Sequence, residues 1–108
     1  MKALARSARL DFDNRVAHHL VEVYEGVVDS PDLRELIRRG VDKAGSYGIE
    51  SQVGVVAFIE KMIEWGADFD EDPERTWAGE ILRDGMLSPE ARMPALERYS
   101  KALGGDQT

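Results

Sequence analysis

The sequence has 108 residues, of which 43% are hydrophobic and 32% are charged, a composition typical of one folded globular domain. It contains no cysteine, which excludes disulfides, thiolate nucleophiles and thiolate metal sites. The net charge of −7 at pH 7 disfavours nucleic acid as a partner, because phosphate binding needs a basic surface. The same acidity allows a basic protein partner, although maintaining solubility is the simpler explanation for it.

No apolar run approaches the length of a membrane span, since residues 53–59 are followed directly by Glu60 and Lys61. The first residues carry Lys2, Arg6 and Arg9 but lack the unbroken apolar core of a secretory signal. We therefore expect a cytoplasmic protein that does not enter a membrane. We expect a single helical domain over residues 1–108, with frayed ends at residues 1–8 and 104–108.

The first predicted helix covers residues 10–28, where apolar side chains recur at steps of three and four residues. Residues 2–9 have helical propensity and no stop signal, so this helix has room to begin earlier. Its predicted apolar face comprises Phe12, Val16, Ala17, Leu20, Val21, Val23, Tyr24, Val27 and Val28.

The second predicted helix begins after Ser30, which caps it, with Pro31 at the first position, and it runs to residue 47. Two glycines interrupt this helix, Gly40 and Gly45. Each lowers helix propensity by roughly 1 kcal/mol relative to alanine, so they indicate either a close helix contact or a bend.

Residues 51–66 are predicted to form the central helix, with Ser51 as N-cap and Gly66 as the closing residue. Its polar residues are confined to a strip of roughly 100°, much narrower than on an ordinary surface helix. We therefore expect this helix to be buried on several sides. The strip consists of Ala57, Glu60, Lys61 and Glu64.

Residues 67–72, Ala-Asp-Phe-Asp-Glu-Asp, form an acidic loop after the central helix, and Phe69 is expected to turn back into the core. Pro73 opens a short helix to about residue 83, with Asp72 as its cap. A last helix begins at Pro89, and its internal Pro94 should kink or split it. The predicted fold is all-α, a compact bundle of about five helices around the buried central helix.

The acidic loop is also the first candidate for a metal site, because Asp68, Asp70 and Asp72 match the opening spacing of a calcium loop. The rest of that pattern fails, since Pro73 stands where glycine belongs and Gly79 stands where glutamate belongs. Helix capping and solvated charge explain the same carboxylates. We therefore predict no metal and no cofactor.

Catalytic patterns are missing from the sequence. His18 and His19 are adjacent on a helix and point about 100° apart, which suits surface or structural roles better than one metal. Three serines, Ser30, Ser51 and Ser88, occupy cap positions, and no glycine-rich phosphate loop follows a strand. We therefore expect no enzymatic activity.

Aromatic residues surround the acidic loop, and aromatic side chains often dominate protein interfaces. The predicted protein-binding surface consists of Trp65, Asp68, Phe69, Asp70, Glu71, Asp72 and Trp77. Closing the core is the competing role for the aromatic members, and Trp65 with Trp77 also allows self-association into a homo-oligomer.

Residues 39–96 carry further short patterns: Tyr47-Gly48-Ile49-Glu50-Ser51, Gly66-Ala67-Asp68-Phe69-Asp70, Asp72-Pro73 with Trp77-Ala78 and Ile81-Leu82, and Leu87-Ser88-Pro89 with Arg92. In these patterns the chain resembles a group of small bacterial helical proteins associated with type VI secretion gene neighbourhoods, near spike, PAAR and effector-adaptor genes. It departs from that group at Gln52 and Val53, where a glutamate is usual, and at Pro94.

The resemblance implies an accessory or adaptor role, in which the protein binds a secreted effector, a spike component or a toxin. An alternative is an immunity protein that blocks a basic toxin with Asp68, Asp70, Glu71 and Asp72. A small metal-binding or enzymatic helical domain is the least favoured interpretation.

Overall fold

A computed structural model describes residues 2–103, with side chains from Leu10 onward. Five α-helices follow one another and no strand occurs within residues 2–103, so the predicted all-α bundle is confirmed. The predicted fraying of residues 104–108 lies outside the described residues. The helices are α1 Lys2–Val23, α2 Pro31–Ser46, α3 Gln52–Trp65, α4 Thr76–Leu82 and α5 Pro89–Leu103, and the short 3₁₀ turns Phe69–Glu71 and Pro73–Arg75 precede α4.

Helix α1 begins earlier and ends earlier than residues 10–28. It stops at Val23 because the chain turns at Gly26, whose φ of 87° is left-handed and favours glycine. Only the middle of its predicted apolar face is buried, while Phe12, Tyr24 and Val27 are partly buried and pack against the core. The buried members are Val16, Ala17 and Leu20, whereas Val21, Val23 and Val28 are exposed.

Helix α2 packs against both α1 and α3, and its approach to α3 depends on Gly40. A Cβ atom added at Gly40 would lie 2.5 Å from Cγ1 of Ile59 and 3.0 Å from Sδ of Met62. Gly40 therefore allows a close contact between two helices, which was one of the two predicted explanations for the glycines of this helix. Gly45 has no such neighbour within 4 Å.

Helix α3 is central, as predicted, and contacts α2, α5 and the first 3₁₀ turn. Phe58 and Ile59 are fully buried and Met62 is 2% exposed. Ser51 caps the helix by accepting a hydrogen bond of 3.0 Å from the amide of Gly54, and Gly66 ends it with a φ of 110°.

Two residues of α3 differ from their predicted environments. Lys61 was expected on the polar strip, yet the residue is 8% exposed, because its stem is covered while its ammonium reaches the carboxylates of Glu64 and Glu97 at 3.1 and 2.5 Å. Val53 was expected on the buried face, yet it is 82% exposed. One strip of the central helix therefore faces solvent.

Helix α5 runs unbroken through Pro94, so the predicted split is wrong. Pro94 is exposed and lies in the second turn, where solvent can hydrate the carbonyl of Glu90 that lacks a helical donor. Arg92, on the same helix, joins two loops by donating to the carbonyls of Tyr47, Asp84 and Leu87 at 2.5, 3.0 and 3.1 Å.

Within residues 2–103 no helix combines the length and the apolar character required to cross a membrane.

Candidate functional site

The residues of the predicted protein-binding surface lie together where α3 ends and α4 begins. Their aromatic rings form a continuous row with Tyr99 of α5. Ring centroids are 5.5 Å apart for Phe69 and Trp65, 5.7 Å for Trp65 and Trp77, and 5.1 Å for Trp77 and Tyr99. Tyr99, which was not part of the predicted surface, is 44% exposed and extends the row to the surface.

Phe69 and Asp70 do not belong to a contact surface. Phe69 is 1% exposed and packs on Phe58, which confirms that it turns back into the core. Asp70 is 3% exposed. Both residues were predicted to contact a partner, and their burial corrects that assignment.

Asp70 is buried because Lys43 of α2 and Tyr47, the residue that caps the end of α2, satisfy its carboxylate. Lys43 Nζ lies 2.7 Å from Oδ1, and the Tyr47 hydroxyl donates to Oδ2 at 2.6 Å. Burial and the hydrogen bond to this carboxylate raise the pKa of Tyr47 to about 12. Burial lowers the pKa of Lys43, but the hydrogen bonds to Asp70 and Asp68 outweigh it and leave that pKa above its ordinary value. The sequence offered no signal for this pairing across 23 and 27 positions.

Asp68 is exposed but also paired within the chain. Its Oδ1 accepts from Lys43 Nζ at 3.0 Å and from Arg39 at 2.9 Å. The hydrogen bond and the positive charge of Lys43, with the charge of Arg39, lower the pKa of Asp68. Two of the carboxylates expected to meet a partner therefore already have cationic partners.

Asp72 acts as the predicted cap. One carboxylate oxygen accepts from the amide of Glu74 at 2.9 Å and the other lies 3.1 Å from Arg75. The guanidinium of Arg75 in turn lies 5.3 Å from the ring centroid of Trp65, in a cation–π contact. This ties the acidic loop to the aromatic row.

Of the three aspartates of the calcium-like pattern, Asp68 and Asp70 share the Lys43 ammonium, whereas Asp72 is directed at the amide of Glu74 and at Arg75. Within the part of the chain that the structure describes, no group of three His, Cys, Asp or Glu side chains is placed to hold a metal ion. The two histidines make separate contacts, His18 with Glu22 at 3.1 Å and His19 with Glu60 at 2.8 Å.

Some carboxylates at the outer side of the acidic loop are not paired with a cation from another part of the described chain. Glu71 and Asp72 separate two open clefts, one of about 400 Å³ that Trp65 also lines and one of about 340 Å³ that Glu80 and Arg83 line. Within the described residues the carboxylates of Glu71 and Glu80 have no hydrogen-bond or ion-pair partner. We call Trp65, Glu71, Asp72 and Glu80 the acidic surface.

Sequence reasoning missed a second surface, on the solvent-facing strip of α3. There Val53 stands between a groove of about 430 Å³ towards α1 and one of about 320 Å³ towards α5. No sequence signal pointed to this surface, because Val53 lies outside the predicted polar strip and was therefore expected to be buried.

Comparison of the chain with protein-family models, with curated proteins and with solved structures found no match. The arrangement of the side chains is therefore the basis for assigning a function.

Proposed function

We propose that this protein is a non-enzymatic accessory protein that binds another protein through the acidic surface. The observation that carries the proposal is the pair Glu71 and Glu80, exposed carboxylates that line one cleft and have no internal partner among the described residues. Carboxylates of this kind attract a basic partner and orient it, because opposite charges on two proteins steer their encounter and fix how they dock.

The aromatic row gives the same surface a source of affinity. Trp65 and Trp77 are half-buried and pack edge to face, and Trp65 lines the cleft beside Glu71 and Asp72. Tryptophan and tyrosine at such positions often account for most of the binding energy at an interface. A partner with a lysine or arginine beside an apolar side chain fits both features.

The resemblance of residues 39–96 supplies the biological setting of the proposal. In that setting the protein is a cytoplasmic adaptor of a type VI-like secretion system, and its partner is a secreted effector or a spike component. The acidic surface is the part of the molecule that such a cargo would contact.

The test uses the purified protein and the effector or spike protein encoded next to it, with affinity measured by calorimetry. The double variant Glu71→Lys with Glu80→Lys should weaken binding by about tenfold or more, since it replaces attraction with like-charge repulsion. The matched control is Glu25→Lys with Glu50→Lys, which changes the net charge equally at exposed positions outside the surface. Equal affinity of both double variants, or no binding by the parent protein, would contradict the proposal.

An immunity role rests on the same surface, because Glu71 and Glu80 have no partner among the described residues and would face the active site of a basic toxin. The two roles differ in cells. An immunity protein restores growth when it is expressed with the neighbouring toxin, whereas an adaptor changes secretion of the effector and leaves its toxicity unchanged.

A further inference from the structure

The solvent-facing strip of α3 separates two grooves and belongs to both of them. Val53, Ala57 and Glu60 line the groove towards α1 and also the groove towards α5. We call these three residues the α3 ridge. At its end Val53 is 82% exposed, and this apolar side chain has no neighbour that covers it within the described residues.

The walls opposite the ridge differ in charge. The α1 wall carries Arg15 and His19. Arg15 lies 3.4 Å from Asp11 in an exposed pair on the same helix, and His19 contacts Glu60 of the ridge at 2.8 Å. The α5 wall carries Glu90 and Glu97, and Lys61 is the cation that lies near them. The Lys61 ammonium is shared between Glu97 and Glu64. Among the described residues the one partner of the Glu90 carboxylate is the Ser51 hydroxyl, which donates to it at 2.5 Å. The α5 wall therefore has an excess of negative charge. Arg15, whose pair with Asp11 is exposed and therefore weak, is the cation that the α1 wall presents.

The charged residues of the two walls lie at similar positions along the axis of α3, and we call such a position a height. His19 contacts Glu60 and Tyr24 contacts Glu64, so α1 runs in the same direction as α3. Ser51 contacts Glu90 and Lys61 contacts Glu97, so α5 also runs in that direction. Because His19 and Glu97 reach neighbouring residues of α3, they stand at nearly the same level. Arg15, one turn before His19, stands between the levels of Glu90 and Glu97.

We propose that the α3 ridge and its two grooves bind a second copy of this chain. A two-fold rotation about an axis parallel to α3 preserves height and exchanges left and right. It therefore places the α1 wall of each copy against the α5 wall of the other, and the two ridges meet beside the axis. Such an interface is self-complementary, as two-fold interfaces must be.

An unrelated partner would have to be acidic opposite α1, basic opposite α5 and apolar between them, whereas a second copy supplies all three features. The proposal is independent of the acidic surface, which lies at the opposite end of α3 from Val53.

The first measurement is the mass of the whole chain by light scattering or sedimentation over a range of concentrations. We expect a species of twice the 12.1 kDa chain mass that dissociates on dilution. Val53→Asp should return the protein to the monomer mass, because it places a carboxylate at the centre of the contact. The matched control Val28→Asp makes the same change at another exposed valine and should leave the dimer intact.

The second measurement tests the orientation. Arg15→Glu alone places acid against acid, and Glu90→Arg alone places base against base, so each variant should dimerise at least about tenfold more weakly than the parent. An equimolar mixture of these two variants restores an opposite-charge pair at both walls and should recover the dimer. Circular dichroism confirms that each variant is folded.

A parent chain that stays monomeric at every concentration overturns the proposal, as does a dimer that survives Val53→Asp. A mixture of the two charge variants that fails to recover the dimer overturns the two-fold arrangement of α1 against α5.

Discussion

Lys43 is the residue at which α2 meets the acidic loop. Its ammonium reaches the carboxylates of Asp70 and Asp68 at 2.7 and 3.0 Å. The two contacts differ in environment, because the Asp70 side chain is 2% exposed and that of Asp68 is 66% exposed. Replacing each aspartate with asparagine therefore compares the contribution of a buried ion pair to stability with that of a solvated one.

Asp70→Asn should lower the free energy of unfolding by roughly 1.5–3 kcal/mol, because charge-assisted hydrogen bonds to Lys43 and Tyr47 are weakened in a buried site. Asp68→Asn should lower it by at most about 1 kcal/mol, since water screens an exposed pair. Urea unfolding at neutral pH measures both values. Equal losses for the two variants would show that burial of Asp70 adds nothing to the pairing.

Two glycines of α2 provide a second comparison at the residue scale. Gly40→Ala brings a methyl group to 2.5 Å from Ile59, and this fully buried β-branched side chain has little freedom to move away. We expect a net destabilisation of about 1–3 kcal/mol, as for other overpacked cores. Gly45→Ala meets no atom within 4 Å and should stabilise the protein by up to about 1 kcal/mol through helix propensity. Thermal unfolding of both variants measures the difference, and a stabilising Gly40→Ala would disprove the close contact.

At the scale of the helices, the cap residues were well predicted from sequence. Ser30 and Ser51 accept from the amides of Leu33 and Gly54, each three residues later, as a serine N-cap does. These contacts are local, so short patterns in the sequence contain all the information needed. The end of α1 was predicted too late, because the apolar spacing continues to Val27 while Gly26 already turns the chain.

Helix α5 tests how much an internal proline disfavours a helix. Pro94→Ala restores an amide that donates to the carbonyl of Glu90, and it should stabilise the protein by about 1–3 kcal/mol. Pro89→Ala is the control, because Pro89 occupies the first position of α5, where no amide is required, and its replacement should change stability by less than about 1 kcal/mol. Urea unfolding measures both variants. No gain from Pro94→Ala would mean that local geometry already compensates for the missing hydrogen bond.

At the scale of the whole molecule, stability should vary with pH at both extremes. The folded pKa of Asp68 is below 3.8, so its stabilising contribution is present above that pH and is lost as the pH falls through the lowered value. This contribution is small, because Asp68 is exposed. The folded pKa of Tyr47, about 12, is above 10.0, so stability should fall as the pH rises between these values.

Urea midpoints measured from acid to alkaline pH check this dependence. Lys43, whose pKa is also raised, adds to the alkaline loss above 10.5. In Tyr47→Phe the part of the alkaline loss due to the phenol should disappear while the Lys43 part remains. An unchanged alkaline slope in that variant would show that the Tyr47 hydroxyl is not held by Asp70.

The placement of the carboxylates was the part of the candidate site that sequence could not predict. Asp68, Asp70, Glu71 and Asp72 are consecutive or nearly so, and composition alone treats them as one acidic loop. Their environments differ because cations from α2 and from the second 3₁₀ turn reach some of them and not others. Glu71 is left to face solvent, beside Glu80 from α4.

The sequence by itself determined the all-α class, the starts of α2, α3 and α5, the central position of α3 and the burial of Phe69, because apolar period and capping act over a few residues. Only the tertiary structure decided which acids are paired internally, why Gly40 is required, and that Val53 stands in solvent between two grooves. Those features depend on contacts between residues distant in the chain, and a local pattern contains no information about which distant side chain will be adjacent.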